Sequence, residues 1–398
     1  MNILHIATKD TGGAGIASLR IHSAVKDFGT FGVQSRLLLL WDNSGISKTD
    51  GSIFLYKNSN HAGKKIGDYL TLLNRSCKTK NIFSKKYIQA MYYDSYYFPE
   101  THYLIKWADI IHLHWVNGFV NPVRFFKKVA KPVVWTFHDM TPFSGGNPYE
   151  SGIFENNLPK FDRHLIKKRE CIARHGKIFG HATSFAFKDK ANEYQTIREE
   201  NIFVIPYPLN PHLYSYKNRD EAAEKLNIPK DKPVILFVAA DVGNYRKGVR
   251  FLLNENIRNS YRLIMAGAKS PELEKYCDII QLGSLNKEQL CLAYSLADLF
   301  VTPSIEEAFG QTSIEALYCG TPVVAFPTSG AKQIIRDGEN GFIAEKISED
   351  ALCDAIKKAQ QHVFDREQIA SNAKATYNPE KITALLVDMY KKVQNYAK

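Results

Sequence analysis

The stretch from Pro303 to Phe326 constrains the fold more than any other part of the chain. An apolar run ends at Pro303, a loop with acidic residues follows, and a second apolar-rich segment starts at Gly310. Gly320 and Pro322 end that segment, because glycine accepts the left-handed conformation that closes helices and proline cannot continue one. The next run, V-V-A-F, is typical of a buried parallel strand. The stretch predicts a strand, a loop, a short helix and a strand.

The start of the predicted helix is suited to an anion. Its first amides come from four successive residues: Gly310, Gln311, Thr312 and Ser313. At a helix start that faces the carboxyl end of a strand, unpaired N–H groups and the helix dipole both point at the ligand. Glu307 lies on the preceding loop, and Glu315 lies one turn into the helix. We therefore expect a phosphate group at this helix start, framed by two carboxylates.

Seven residues separate Glu307 from Glu315, within the pattern P-S-x-x-E-x-F-G followed by E-A-x-x-x-G-x-P-V-V. This pattern resembles the donor-site signature of the retaining glycosyltransferases of family 4, which have the GT-B fold. The resemblance implies that Glu307 orients hydroxyls of the transferred sugar, that Glu315 holds the ribose, and that the backbone after Phe309 grips the diphosphate. Without the flanking motif, Glu307 would be read as a solvated loop acid and Glu315 as a complement to the helix dipole.

A chain of 398 residues is long enough for two or three domains. Three prolines between Pro206 and Pro211 mark the boundary, since proline extends neither a central strand nor a helix. The family usually has a Pro-Asn pair here, and Tyr207 replaces the asparagine. The resemblance implies an α/β chain of GT-B fold, in which two Rossmann-like domains with parallel sheets face each other across a cleft. We expect an acceptor-side domain over 1–208, a nucleotide-sugar domain over 209–378, and a helix at 379–398 that packs back on the first domain.

A glycine-rich turn follows the first predicted strand, in the run T-G-G-A-G. Glycine lets the backbone approach a ligand closely and presents amides to it. The turn does not follow G-x-G-x-x-G, so a dinucleotide site is poorly supported, and a tight turn without a ligand is the plain alternative. In the family that the chain resembles, a glycine pair here, Gly12 and Gly13, lines the cleft near the donor phosphates and the acceptor.

Histidines stand at the carboxyl ends of two predicted strands, where ligand-facing groups of a parallel sheet gather. His138 opens the run H-D-M-T-P-F-S-G-G, which resembles a motif of the polysaccharide-synthesis members of the family and implies that His138 reaches the transferred sugar. A strand-end histidine is otherwise a structural residue, and we expect His112 and His114 to belong to the scaffold. After Gly146 this chain has N-P-Y where the subfamily has a cysteine-rich loop, so the loop does not identify the acceptor.

The loop from Asp241 to Gly248 resembles the family loop that ends in Lys-Gly before a helix. Lys247 would then be a positive charge against the leaving diphosphate; the alternative is a solvated lysine. The family's arginine, six positions before this lysine, is Asp241 here. We expect Arg246 or backbone amides to carry part of the missing charge.

Two further positions follow from the resemblance. The backbone near Leu282 and Gly283 would border the nucleobase. The segment that begins at Thr328 stands where the family often has Gly-Gly-x-x-Glu, and Gln333 takes the place of the acid.

The formal charge of +11 predicts an acidic partner. One basic group, interleaved with apolar residues, lies in the first half of the chain: Lys57, Lys64, Lys65, Arg75, Lys78, Lys80, Lys85 and Lys86. A second group follows: Lys160, Arg163, Lys167, Lys168, Arg169 and Arg174. Such groups are usually solvated faces; the sharper alternative is a surface that rests on the anionic inner face of the cytoplasmic membrane. No nucleic-acid motif competes with this interpretation.

The N-terminal residues predict a strand rather than a signal peptide, and there is no apolar run of about 18 residues, so we expect a cytoplasmic, peripheral protein. The six cysteines are scattered without a C-x-x-C pair, which favours free thiols over disulfides or zinc. We expect no cofactor and no metal.

The resemblance, together with these features, implies a metal-independent, retaining hexosyltransferase. Its donor would be a nucleotide diphosphate sugar, with a UDP-sugar favoured over a GDP-sugar, and its acceptor a lipid-linked oligosaccharide of a bacterial surface polysaccharide such as O-antigen or capsule. Two alternatives stay open: a GT-B sugar-nucleotide epimerase or hydrolase, which would turn over the donor without an acceptor, and a non-catalytic subunit that binds a nucleotide sugar.

Overall fold

The structure is a computed structural model, and it describes residues 1–30, 32–56, 95–150 and 158–396. The chain divides into two compact units, one of Met1–Pro208 with Pro379–Lys398 and one of Leu209–Asn378. The first boundary lies in the proline-rich segment. The basic group predicted between Lys57 and Lys86 lies outside the described residues.

Each unit is built on one parallel sheet. The first sheet has seven strands in the order β3-β2-β1-β4-β5-β6-β7: β1 (Asn2–Lys9), β2 (Gln34–Trp41), β3 (Ile53–Leu55), β4 (Ile110–Leu113), β5 (Val133–Thr136), β6 (Ile178–Ala182) and β7 (Ile202–Val204). The second has six strands in the order β10-β9-β8-β11-β12-β13: β8 (Val234–Asp241), β9 (Arg262–Ala268), β10 (Ile279–Gly283), β11 (Leu299–Thr302), β12 (Val323–Ala325) and β13 (Gly341–Ile343).

Helices form most of the connections between the strands, as is usual for parallel pairing. In chain order they are α1 (Gly12–Phe28), α2 (Tyr103–Trp107), α3 (Pro122–Lys128), α4 (Leu158–His175), α5 (Phe185–Glu193), α6 (Arg219–Leu226), α7 (Glu255–Ser260), α8 (Lys287–Leu296), α9 (Gln311–Tyr318), α10 (Ser329–Ile334), α11 (Glu349–Gln361), α12 (Arg366–Thr376) and α13 (Pro379–Tyr396). Among these described helices, none combines the length and apolarity that a bilayer span needs.

The core of the first unit lies between its sheet and the helices that cover it. In β1 every residue from Ile3 to Thr8 is buried, as expected for a strand covered on both faces. The terminal helix α13 contacts α1, and it turns the fully buried side chains of Leu386, Tyr390 and Val393 inwards, at the spacing of one helix face. The last helix of the chain therefore completes the core of the first unit.

Strand order reverses once in each sheet. In the second unit the chain fills positions outward from β8 to β10 and then returns to the other side of β8 with β11. In the first unit the same reversal lies between β1 and β4. Because the loops on either side of such a point diverge, ligands of parallel α/β sheets bind there, beyond the carboxyl ends of the strands. Each unit therefore has one such position.

Buried histidines line one face of the first sheet. His5 on β1, His112 on β4 and His181 on β6 are fully buried, and His5 is the direct neighbour of His112 in the strand register. Burial lowers the pKa of His181 to about 4, and it also lowers that of His22 on α1 to about 4. These histidines are therefore neutral in the folded chain near pH 7.

We expect the first unit to lose stability in mild acid. Because the folded pKa values of His22 and His181 lie below the ordinary 6.5, the unfolded chain binds more protons, so stability that is present above pH 6.5 is lost as the pH falls towards 4. Each group should cost roughly 2 kcal/mol between about pH 7 and about pH 5. All four tryptophans, Trp41, Trp107, Trp115 and Trp135, lie in this unit, so tryptophan fluorescence during urea unfolding measures it alone. His22→Gln should reduce the loss, and an equal urea midpoint at both pH values would contradict the expectation.

Candidate functional site

Two loops meet at the reversal point of the second sheet, one after β8 and one after β11. The amide of Ile305 donates to the carbonyl of Arg246 at 2.9 Å. Gly248 has a φ of +73°, and a Cβ on this residue would lie 1.9 Å from the carbonyl oxygen of Pro303. Packing therefore explains the glycine of the Lys-Gly pair, because no side chain at Gly248 fits between these two loops.

The predicted anion site lies at the start of α9. Gly310 precedes the helix with a φ of +94°, and no side chain caps it. The amide of Ser313 donates to the carbonyl of Gly310 at 3.0 Å, so this fourth predicted amide is used inside the helix. Gln311 and Thr312, both half-buried, are the first two helical residues. The amides offered to a ligand are therefore fewer than the sequence predicted.

The structure brings Lys247 and Glu307 together. Lys247 Nζ lies 2.5 Å from Glu307 Oε2, and Arg246 Nη1 lies 3.7 Å from the same oxygen. Burial alone would raise the pKa of Glu307, but the charges of Lys247 and Arg246 outweigh it and hold that pKa below its usual value. The carboxylate is therefore ionised, and two cations lie at the loop before α9.

Arg246, which the sequence predicts to compensate for Asp241, lies against the loop that carries Glu307. Its guanidinium donates to the carbonyl of Glu306 at 2.6 Å, and its side chain is only 12% exposed. Asp241 itself is exposed and accepts the amide of Gly243 at 3.0 Å. Asp241, at the family's arginine position, thus accepts a hydrogen bond within its own loop, while Arg246 lies beside Glu307.

Glu315 is buried in α9 with 6% of its surface exposed. The Tyr294 hydroxyl on α8 donates to Glu315 Oε2 at 3.0 Å. Burial, together with the charge of Glu315, raises the pKa of Tyr294 well above its usual value. Sequence reasoning missed Tyr294, because nothing in the local pattern of α8 indicates which residue faces α9.

Both the ring and the backbone carbonyl of Phe309 are closely packed. The ring is 2% exposed and packs edge-on against Tyr377, with centroids 6.2 Å apart. The amide of Gly330 donates to the carbonyl of Glu307 at 3.1 Å, and a Cβ on Gly330 would lie 2.0 Å from the Phe309 carbonyl oxygen. Gly330 was missed as a site residue, although it lies in the segment where the family pattern has glycines.

Leu282 and Gly283, the predicted neighbours of the nucleobase, form the end of β10. Both are half-buried, and Gly283 has a φ of +74°. In the sheet order β10 lies two positions from β8, which is roughly 10 Å at the usual strand spacing. Leu282 and Gly283 therefore lie at the same edge of the sheet as Lys247, but two strands away from the strand that precedes Lys247.

Gly12 and Gly13 lie at the reversal point of the first sheet. Gly12 begins α1 with a φ of +74°, and Gly13 is exposed. The glycine that packing demands is Gly15, because a Cβ there would lie 2.6 Å from the carbonyl oxygen of Lys9. Sequence reasoning named Gly12 and Gly13 and missed this third glycine of the T-G-G-A-G run.

His138 lies just beyond β5 in the first unit, and it is half-buried. Its Nδ1 is 2.6 Å from the hydroxyl of Tyr207, and its Nε2 is 3.2 Å from Nδ1 of His114. Burial lowers the pKa of His138 to about 3, so the ring is neutral near pH 7. Tyr207, which replaces the family's asparagine, is thus a direct partner of the predicted site histidine.

The second basic group is not a uniform solvated face. Lys168 is 1% exposed, and its ammonium donates to the carbonyls of Thr141 and Ser144. Arg169 donates to the carbonyl of Tyr194 at 2.9 Å. The expectation of a solvated or membrane-facing charge is therefore wrong for Lys168, whereas Arg169 is half-buried. Lys168 instead secures the loop that follows His138.

Comparison with known proteins finds a family match for the second unit. Residues 218–376, nearly the whole of that unit, match the family Glycosyl transferases group 1. An uncharacterized glycosyltransferase of Methanocaldococcus jannaschii is 25% identical over 306 residues, which cover 71% of this chain and 75% of that protein. The lipopolysaccharide 1,2-N-acetylglucosaminetransferase of Salmonella typhimurium is 27% identical over 197 residues, 44% of this chain and 51% of that protein.

The fold also matches solved structures. The Anabaena protein HepE, in complex with UDP-glucose, superimposes with a TM-score of 0.68 at 16% identity, over 98% of this chain and 100% of that one. Together with the two parallel sheets, this likeness confirms the GT-B fold expected from the sequence. The match of residues 218–376 supports the coarser function expected from the sequence, a glycosyltransferase.

We expect Gly330→Ala to destabilise the second unit by about 1–3 kcal/mol, because the added methyl group would press on the Phe309 carbonyl and force the loop to shift. The matched control is Gly51→Ala, since Gly51 has no atom within 4 Å of an added Cβ and no positive φ. Scanning calorimetry of both variants measures the effect. If Gly330→Ala melts like Gly51→Ala and like the parent protein, the loop is not held as described.

Proposed function

We propose that this glycosyltransferase moves a hexose from a UDP-sugar to a lipid-linked saccharide, with retention of configuration at the anomeric carbon and without a metal ion. The residues around Glu307 and the motif resemblance support the sugar class, the stereochemistry and the absence of a metal.

The observation that carries the proposal is the group formed by Lys247, Arg246 and Glu307 beside the start of α9. When the bond to the sugar breaks, negative charge grows on the diphosphate. Fixed cations and helix-start amides stabilise such charge without reorganising, and removal of one such donor costs roughly 3–4 kcal/mol in known enzymes. Two cations within 4 Å of one carboxylate oxygen supply this stabilisation from side chains, which supports a reaction without a metal.

Glu307 has a second task in the proposal. In the structure its carboxylate is held by Lys247 at 2.5 Å. A bound donor would offer phosphate oxygens to the lysine and sugar hydroxyls to the carboxylate, so each partner exchanges one charge-assisted contact for another. The carboxylate stays ionised because its pKa is lowered. An acceptor-only group suits hydroxyl donors of a sugar.

The partners in the proposal have separate support. The structure of the similar protein HepE contains UDP-glucose, which favours a UDP-sugar here. The similar Salmonella protein is a lipopolysaccharide transferase, which favours a lipid-linked saccharide acceptor. The charge of +11 would attract the chain to an anionic membrane surface, where such an acceptor lies.

We expect Glu307→Ala and Glu307→Gln to abolish transfer, with a loss of about 100-fold or more, because the sugar hydroxyls lose their ionised partner. Transfer of radiolabelled sugar to a lipid-linked acceptor pool measures the loss, and the melting temperature of each variant tests whether the fold is intact. The control is Glu339→Gln, an exposed acid of the same unit. Turnover of the Glu307 variants near the parent level would refute the assignment, and donor breakdown without any acceptor would favour a hydrolase or epimerase.

We expect UDP to raise the melting temperature of the protein more than GDP does, with excess EDTA present throughout. A ligand that binds only the folded state at about 100 times its Kd adds about 2.7 kcal/mol of stability. Lys247→Met should remove most of the UDP shift, since the diphosphate loses a cation. A UDP shift that appears only after Mg²⁺ is added would contradict the metal-independent proposal.

A further inference from the structure

Two lines of hydrogen-bonded side chains cross the buried face of the first sheet. The first line joins Tyr207, His138, His114 and His5. Its three contacts are 2.6 Å from the Tyr207 hydroxyl to His138 Nδ1, 3.2 Å from His138 Nε2 to His114 Nδ1, and 2.9 Å from His114 Nε2 to His5 Nδ1. At the far end, His5 Nε2 is buried and has no hydrogen-bond partner among the residues that the structure describes.

The second line runs beside the first. The Tyr390 hydroxyl lies 2.6 Å from His112 Nδ1, and His112 Nε2 lies 2.6 Å from the Thr136 hydroxyl. That hydroxyl lies 2.9 Å from His181 Nδ1, and His181 Nε2 lies 2.8 Å from the carbonyl oxygen of Ile205. This line therefore ends on a group that can only accept a hydrogen bond.

Neutral histidine has one N–H donor and one acceptor nitrogen. Burial holds the pKa values of His5, His112 and His114 well below the usual range, so every ring in both lines is neutral near pH 7. In a line of such rings, each nitrogen that donates forces the opposite nitrogen of the same ring to accept. The position of a single proton therefore fixes all the others.

The second line has its direction fixed by the carbonyl of Ile205. His181 must donate to it from Nε2, so Nδ1 of His181 accepts the Thr136 proton. The Thr136 oxygen then accepts from Nε2 of His112, and Nδ1 of His112 accepts from Tyr390. Both histidines of this line carry their proton on Nε2.

The first line has its direction fixed by the unpaired nitrogen at its inner end. An unpaired buried N–H is rarer in proteins than an unpaired acceptor, so Nε2 of His5 is the bare nitrogen and Nδ1 carries the proton. His5 then donates to Nε2 of His114, and His114 donates from Nδ1 to Nε2 of His138. His138 is left with its proton on Nδ1, the nitrogen that faces Tyr207.

We propose that His114 is a positioning residue, which places the proton of His138 on Nδ1 and so makes His138 a hydrogen-bond donor to an oxygen of the transferred sugar. This inference rests on the proposed function. In the structure the Tyr207 oxygen accepts that N–H, and it would stand where a sugar oxygen binds. The opposite nitrogen of His138 is occupied by buried His114, so only the Tyr207 side can be exchanged for a ligand.

A metal at these histidines is the competing use of the same residues. Ring nitrogens of His5, His112 and His114 lie within 4.8 Å of one another. However, both nitrogens of His112 and both of His114 already have hydrogen-bond partners. A metal would have to break these contacts, and only Nε2 of His5 is available without doing so. The hydrogen-bonded lines therefore account for the cluster better than a metal does.

The test is the protonation of each ring, read from long-range ¹H–¹⁵N correlation spectra of protein with ¹⁵N-labelled histidine, without any substrate. We expect Nδ1–H at His5, His114 and His138 and Nε2–H at His112 and His181. Tyr207→Phe should leave His138 protonated on Nδ1, since the inner end fixes the line. The proposal would be overturned by Nε2–H at His138 in the parent protein, or by a switch of His138 to Nε2–H in Tyr207→Phe. It would also be overturned if the expected pattern depended on bound Zn²⁺ and were lost when Zn²⁺ is removed.

His114→Phe tests the positioning role and keeps the ring in place. His138 should then show both protonated forms, and kcat for sugar transfer should fall about tenfold, with the donor KM within about twofold of the parent value. His112→Phe, on the same strand but in the second line, should leave His138 unchanged. An unchanged His138 in His114→Phe would refute the proposal. Because the spectra need no donor, a failure of the transfer reaction would count against the proposed function and leave the proton assignment to be judged separately.

Discussion

Contact of backbone with backbone at the reversal point of the second sheet is the constraint on which the candidate site depends. Gly248 lies against the carbonyl of Pro303, and Gly330 lies against that of Phe309. In both places a Cβ would overlap with main-chain atoms, which cannot rotate away as a side chain can. The loop after β11 is therefore held from two sides by residues without side chains. This packing fixes where Glu307 and the start of α9 lie.

Electrostatics then act on a scaffold that is already rigid. A partly buried ion pair such as Lys247 and Glu307 gains little net stability, because desolvation of both charges opposes their attraction. Under the proposed function, the value of the pair is that its charges are in place before a ligand arrives. Arg246 adds a second cation that its own backbone contact with the loop keeps close. The pair is thus better explained by binding than by folding.

The sequence predicts the fold well, and also the strand, loop, helix and strand around Glu307, because their signals are local. Glycines, prolines and the spacing of Glu307 and Glu315 act within a few residues, and the GT-B fold follows from them through the resemblance. The contacts that the sequence does not predict are long-range. Tyr294 meets Glu315 because α8 packs on α9, and the amide of Gly330 meets the carbonyl of Glu307 because α10 packs on the loop before α9. Neither partner can be identified from spacing along the chain.

The buried histidines are a second case in which the sequence does not predict which side chains meet. Taken singly, His112 and His114 are scaffold residues, as the sequence suggested. Their arrangement depends on the register of β1 beside β4, which places His5 directly opposite His112, and hydrophobic pattern fixes such a register only to the correct face. Once the register is set, the tautomer of each neutral ring determines the tautomer of the next ring. A residue deep in the sheet therefore influences a nitrogen at the edge of the sheet. In this unit, then, the core of the fold and the chemistry at the strand ends share the same side chains.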